Sequence, residues 1–156
     1  MLDIKKKIIE QLPYRSPFLF VDDLLYIDEN KVIGVYHLKK DEYFYQGHFP
    51  KYPVTPGVIL TEIAAQIGVV CLGIYLCVKQ HNKESNARPV LTSASSEYLS
   101  PAYPGDKLTV MSTRDYFRFG KLKCQFKITN SNERMISKGV ISGFIVDEPK
   151  NGKNAE

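Results

Sequence analysis

The sequence predicts an α+β domain in which an antiparallel sheet curls around one long apolar helix. Three observations predict it. The run from Ile63 to Val78 is apolar on nearly every helical face, so a helix there must be wrapped by other elements. A candidate β-hairpin precedes it, and four strand-like runs separated by short turns follow it.

Size and composition agree with a packed core. The chain has 156 residues, 44% of them hydrophobic and 24% charged, which excludes disordered, collagenous and coiled-coil classes. One domain over residues 1–146 is expected, followed by a polar, disordered tail at 147–156 that contains Pro149 and Gly152. The net charge of +4 suits a soluble protein and lacks the dense basic stripe of a nucleic-acid binder. Cys71, Cys77 and Cys124 form no C-x-x-C pair and no zinc-ligand spacing, so free thiols in a reducing cytoplasm are expected. The N-terminus MLDIKKKIIEQLP has no secretory h-region, and no glycine-rich phosphate loop is present.

Taken in order, Ile4, Ile8, Ile9 and Leu12 recur at helical spacing and predict a short amphipathic helix, packed on the surface and ending at Pro13. Phe18 to Asp28 and Lys31 to Leu38 flank the turn Asp28-Glu29-Asn30 and predict a hairpin. The segment Tyr45 to Gly57 carries Pro50, Pro53 and Pro56, each of which restricts its own φ and the preceding residue, giving a stiff loop. Thr55 as N-cap and Pro56 as first helical residue start a helix of about six turns that runs toward Val78. Its uncharged stretch, Ile63 to Val78, contains Gln66 and is shorter than the roughly 18 residues of a membrane span, so no insertion is expected. Strands are predicted at Pro89–Leu99, Lys107–Phe117, Lys121–Thr129 and Met135–Val146.

Two polar side chains stand in apolar company. His48 lies in the stiff loop between Gly47 and Phe49, and Glu62 lies within the apolar helix, with Gln66 one turn on and able to orient its carboxyl. A carboxyl in such surroundings has a raised pKa and stays protonated near neutrality, as a general acid must. A neutral histidine can accept a proton at the same pH. Gly57, at the helix N-terminus, offers a backbone N–H to developing negative charge. Base, acid and oxyanion donor are the parts needed to eliminate water from a 3-hydroxyacyl thioester. His37 and His81, in a strand and a polar stretch, are assigned no chemistry, and Cys71 and Cys77 are assigned to the core.

These residues resemble the FabZ-type (3R)-3-hydroxyacyl-acyl-carrier-protein dehydratases, which have the hotdog fold. The resemblance runs from Leu12-Pro-Tyr-Arg-Ser-Pro-Phe-Leu-Phe-Val-Asp, through Phe44-Tyr-Gln-Gly-His-Phe-Pro, Pro53-Val-Thr-Pro-Gly-Val and Glu62-Ile-Ala-Ala-Gln, to Pro101-Ala-Tyr-Pro-Gly-Asp-Lys-Leu. It implies that His48 and Glu62 are catalytic, that Gly57 binds the thioester and that Gln66 holds Glu62. It further implies an acyl carrier protein that presents the substrate on a phosphopantetheine arm, and no metal or tightly bound cofactor. His48 and Glu62 of one site would come from different subunits, so that a homodimer is the minimal active unit, commonly assembled further into a trimer of dimers. Two departures bear on substrate choice. Tyr14 stands where the family usually has histidine, and Pro89-Val-Leu-Thr-Ser-Ala-Ser stands where many members have an aromatic gate and an aspartate. Glutamate rather than aspartate at position 62 favours this branch over the dehydratase-isomerases.

Under that reading, Phe49, Val54, Val58, Ile59 and Ile63 are candidates to line the acyl tunnel. Arg88, Arg118, Lys121 and Lys123 are candidates to meet an acidic carrier protein, although a solvated basic face explains them equally. The product would feed fatty acid, polyene or polyketide synthesis. Two alternatives remain open: a hotdog thioesterase, and a non-catalytic carrier-protein-binding subunit of a heterodimer.

Overall fold

Capping chemistry and apolar spacing set the first elements. The computed structural model describes residues 3–81 and 87–147. Helix α1 (Ile4–Glu10) begins at Asp3, whose side chain accepts from Lys5 N at 3.1 Å, and it buries Ile8 while leaving Ile4 exposed. Strands β1 (Asp23–Ile27) and β2 (Lys31–His37) form the expected hairpin, and Asp28 Oδ1 accepts from both Asn30 N and Lys31 N at 2.8 Å in its turn.

The first strand is shorter than the sequence predicts. Residues 18–22 stay outside it because the backbone at Phe18 and Phe20 bonds to the Gln66 side-chain amide. Apolar periodicity reports burial, which Phe20 and Val21 have, and cannot report which partner satisfies the backbone.

Helix α2 (Gly57–His81) is one 25-residue helix with a π-helical middle, Gln66–Cys71. It starts one residue later than expected. Pro56 is the cap residue in extended conformation, while Thr55 turns inward, buried, and its Oγ1 bonds to Tyr45 OH at 2.8 Å. At its other end α2 outruns the predicted stop at Val78 as far as His81. Lys79 places a cationic side chain by the last carbonyls and also sits over the Tyr75 ring.

Strands β3 (Ala87–Tyr98), β4 (Lys107–Arg118), β5 (Lys121–Thr129) and β6 (Met135–Asp147) fall within one or two residues of their predicted bounds. All six strands form one antiparallel sheet in the order β1-β2-β4-β5-β6-β3. Strand β3 reaches the far edge because α2, about 37 Å long by its rise per residue, carries the chain across the sheet. The expected disordered tail lies outside the described residues, apart from Asp147 at the end of β6.

Helix α2 is long and apolar enough to cross a membrane, but 78% of its most apolar stretch is buried inside the protein. Ile63, Ile67, Leu72 and Ile74 are almost wholly buried. Against them pack Leu108 and Val110 of β4, and Leu122, Cys124, Phe126 and Ile128, which alternate along β5. Helix and sheet approach closely at Gly68, whose carbonyl accepts from the buried Ser112 Oγ at 3.0 Å. A Cβ on Gly68 would lie 2.8 Å from Ser112 Cβ. Among the described residues no disulfide joins Cys71, Cys77 and Cys124. His37 Nε2 meets Gly105 O at 2.9 Å on the surface, and His81 is exposed at the helix end.

Gly68→Val should cost about 1–3 kcal/mol in urea unfolding, because the helix cannot move off the sheet without opening its core. Gly47→Ala, where an added Cβ meets nothing within 4 Å, should change stability by less than about 0.5 kcal/mol.

Candidate active site

His48 follows a single 3-10 turn, Tyr43–Gln46, and its backbone is held twice: its N–H donates to Phe44 O at 3.0 Å and its carbonyl accepts from Val54 N at 3.0 Å. The ring is held as well, with Nδ1 2.8 Å from Val54 O. A carbonyl only accepts, so Nδ1 carries a proton, and Nε2 is the nitrogen that bears the lone pair in the neutral form of the ring. Phe49 stacks on the His48 ring at 4.2 Å between centroids and remains half-exposed; the peptide between them is cis.

Gly57 opens α2, and its N–H, the first of the helix, has no intrahelical acceptor. The Tyr98 ring lies against it, so that a Cβ at this position would sit 3.0–3.2 Å from three ring atoms. A side chain here would have to push that half-exposed ring aside by a few tenths of an ångström.

Glu62 sits five residues further on, partly buried. Burial pushes its carboxyl above the ordinary value, and the hydrogen bond from Gln66 Nε2 to Oε1 at 3.0 Å offsets part of that shift. Gln66 is fully buried and engaged on every side. Its Nε2 also donates to Phe18 O at 3.0 Å, and its Oε1 accepts from Phe20 N at 2.8 Å. The glutamine therefore orients Glu62 and also ties the chain before β1 to the helix.

The Glu62 carboxyl opens into a cavity of about 240 Å³ between α2 and the β3–β6 end of the sheet. Ala65, Val69 and Val70 line it from the helix, Val90 and Leu91 from β3, Ile141 and Ile145 from β6, and Tyr14 from the α1–β1 connection. The five residues expected to line a tunnel are elsewhere. Ile59 and Ile63 are buried in the core under the sheet, Val58 is 74% exposed, and Phe49 and Val54 belong to the His48 loop. Spacing from Glu62 does find Ala65, Val69 and Val70, which share its helical face. In the sequence Tyr14 and the segment 89–91 stand out only as departures from the family resemblance, and nothing local points to Ile141 or Ile145.

His48 lies outside this cavity and shares no hydrogen bond with Glu62 within the chain. Gly57 borders a separate open cleft of about 360 Å³ with Leu60, Tyr98 and Leu99. One chain thus holds the candidate base, the candidate oxyanion donor and the candidate acid without gathering them around one space. No group of metal-ligating side chains occurs among the described residues.

The wrapped helix and the six-stranded antiparallel sheet around it define a hotdog-fold protein, and comparisons narrow the class. The ApeI-like family, described as ApeI dehydratase, matches residues 26–140, and the chain belongs to this dehydratase family. The 3-hydroxyacyl-acyl-carrier-protein dehydratase FabZ of Streptococcus agalactiae is 31% identical over 145 residues, covering 91% of this chain and 96% of that protein. FabZ of Bacillus cereus is 48% identical over 73 residues, 46% of this chain and half the length of that relative. Among solved structures, the dehydratase heterocomplex ApeI:P from Xenorhabdus doucetiae has a TM-score of 0.74 at 14% identity, covering 90% of this chain and 91% of that one. At that identity the likeness shows the fold.

Gln66→Leu should destabilise the protein by about 2 kcal/mol or more in urea, because it strands the buried Phe20 N–H and the Phe18 carbonyl. Glu62 also makes stability depend on pH. Its folded-state pKa lies above 4.5, so its contribution is full below pH 4.5 and is lost as pH rises through the raised value. Glu62→Gln cannot titrate. The stability of wild type relative to this variant should therefore fall from acid to neutral pH in parallel urea titrations.

Proposed function

We propose that the protein is a hydro-lyase that dehydrates (3R)-3-hydroxyacyl thioesters, carried on an acyl carrier protein, to trans-2-enoyl thioesters. The observation that carries this reading is Glu62: a carboxyl oriented by a buried amide, facing an apolar cavity, with its pKa raised by burial. That is a proton donor built for a hydrocarbon substrate. Membership of a dehydratase family and the FabZ relatives support the same chemistry.

In the proposed reaction His48 Nε2 removes the proton from C2, and the negative charge that builds on the thioester oxygen is met by Gly57 N–H. The C2=C3 bond forms as the C3–O bond breaks, and the Glu62 proton leaves with the hydroxyl as water. His48 ends protonated and Glu62 ionised until proton exchange resets them. These steps call for no metal and no tightly bound cofactor; the phosphopantetheine arm belongs to the substrate.

Because the base and the acid of one chain face different spaces, the site is proposed to form between subunits. Strand β3 is a sheet edge that exposes Val90, Leu91 and Tyr98 among polar residues, with Leu99 exposed just beyond it, and an open edge of this kind can pair with another chain. Antiparallel pairing of two β3 edges about a two-fold axis brings the 89–91 end of one strand toward the 96–98 end of the other. The Glu62 cavity of one subunit then meets Gly57 and His48 of the second. A second copy is the proposed partner, with a related dehydratase subunit as the alternative and a trimer of dimers as a higher assembly. On the β4–β5 hairpin Arg118, Lys121 and Lys123 surround a fully exposed Phe119 and, with Arg88, are the proposed contacts for an acidic carrier protein. A soluble, cytoplasmic setting fits this substrate. Fatty acid synthesis or a related polyene or polyketide route is the proposed context.

Mass spectrometry of 3-hydroxyacyl carrier-protein thioesters should show loss of water with wild type and none with His48→Ala or Glu62→Gln. Hydrolysis without dehydration would replace this reading with a thioesterase, and binding of carrier protein without turnover would replace it with a binding subunit. Co-expressing His48→Ala with Glu62→Gln should restore roughly a quarter of wild-type activity, since one site of each mixed dimer keeps both groups. No recovery from mixed dimers would show that the two groups act from one chain.

A further inference from the structure

The α1–β1 connection delivers one more polar group to the Glu62 cavity. The Arg15 guanidinium donates to the carbonyl oxygens of Leu12 at 2.9 Å and Tyr14 at 2.7 Å, which pins the backbone on both sides of Tyr14. The Tyr14 ring packs against the buried core, and its other face lines the cavity. Around it the lining side chains are hydrocarbon, among them Ala65, Val69, Val70 and Leu91. The phenol and the Glu62 carboxyl are therefore the two lining side chains with a hydrogen-bonding head.

Their hydrogen-bonding capacity is unequally spent. Glu62 Oε1 is engaged by Gln66, whereas the Tyr14 hydroxyl has no hydrogen-bond partner among the described residues. Nor is that hydroxyl buried away from the cavity, since no buried side-chain oxygen or nitrogen among the described residues lacks a partner. Burial and the nearby Glu62 charge both push the Tyr14 phenol above its ordinary pKa, so it keeps its proton and acts as a donor. A donor held in an apolar cavity beside the acid discriminates for a ligand that has an oxygen at that point, because a ligand without one leaves the donor unpaired.

We propose that Tyr14 is a further substrate-contacting residue, whose hydroxyl donates a hydrogen bond to the C3 oxygen of the acyl chain, the oxygen that Glu62 protonates. This rests on the dehydratase reading above. In the elimination Tyr14 keeps its own proton throughout. The Glu62 O–H and the substrate C3–O bonds break, and the water that leaves is hydrogen-bonded to the phenol as it forms. Specificity follows from the same contact: the cavity selects a 3-hydroxyacyl chain over the saturated chain of equal length.

The test measures binding rather than turnover. In the Glu62→Gln background, dissociation constants are determined for a 3-hydroxyacyl thioester and for the saturated thioester of the same length, with and without Tyr14→Phe. Removing the phenol should weaken 3-hydroxyacyl binding about tenfold and leave the saturated chain unchanged. Equal weakening of both would make Tyr14 a packing residue, and no change in either would place it off the substrate; each result overturns the proposal. Tyr14→His, which keeps a donor, should retain part of the preference for the hydroxylated chain. It also provides the comparison if the phenylalanine variant folds poorly by circular dichroism. Turnover by wild type is scored separately. Its failure would overturn the dehydratase reading, while the binding difference would still decide whether Tyr14 contacts the C3 oxygen.

Discussion

One buried amide organises both the fold and the site. Gln66 sits at the start of the π-helical stretch of α2, and its side chain bonds to Phe18 O, Phe20 N and Glu62 Oε1 at once. A fully buried amide left without these partners would cost the desolvation of each unpaired group, so the chain before β1 and the Glu62 carboxyl are constrained together. The segment carrying Tyr14 leads directly into this knot. The same contact that holds Glu62 also determines where the chain that closes its cavity must run.

The second constraint is the distance between helix and sheet. A helix apolar on every face is stable in water only when wrapped, and close wrapping requires small residues where backbones meet. Gly68 against Ser112, and Gly34 beneath Ile67, are such places. The Ser112 hydroxyl satisfies the Gly68 carbonyl, and this bond lies within the π-helical stretch. The Glu62 cavity survives in this packing only toward β3 and β6, where the sheet reaches its edge. An apolar cavity at an exposed edge with two polar heads inside suits a substrate that is mostly hydrocarbon and has one oxygen to be handled.

The parts of the molecule that follow from local chemistry were legible in the sequence. Strand periodicity located β4, β5 and β6 closely, and the apolar run with its proline-rich approach located α2. His48, Gly57, Glu62 and Gln66 stood out because polar or side-chain-free residues in apolar surroundings need a reason. Errors arose where a nonlocal partner outweighed a local preference. Thr55 has the chemistry of a helix cap, but Tyr45 takes its hydroxyl, and residues 18–22 have strand character, but the Gln66 side chain takes the Phe18 carbonyl and the Phe20 N–H. Ile59 and Ile63 are buried and do not line the Glu62 cavity, and by type alone they could serve either place, since a core and an acyl pocket use the same side chains.

The sequence by itself determined the fold class, the order of elements, the family resemblance and the residue types available for acid, base and oxyanion roles, because each of these depends on spacing within one short segment. Tertiary structure alone decided that Tyr14, Val90, Leu91 and Ile145 share a cavity with Glu62 while His48 does not. Those residues come from the α1–β1 connection, two strands and a helix, far apart in the chain. Which of their surfaces face one another is set by sheet order and by the side of α2 that the core leaves uncovered, and no local pattern encodes either.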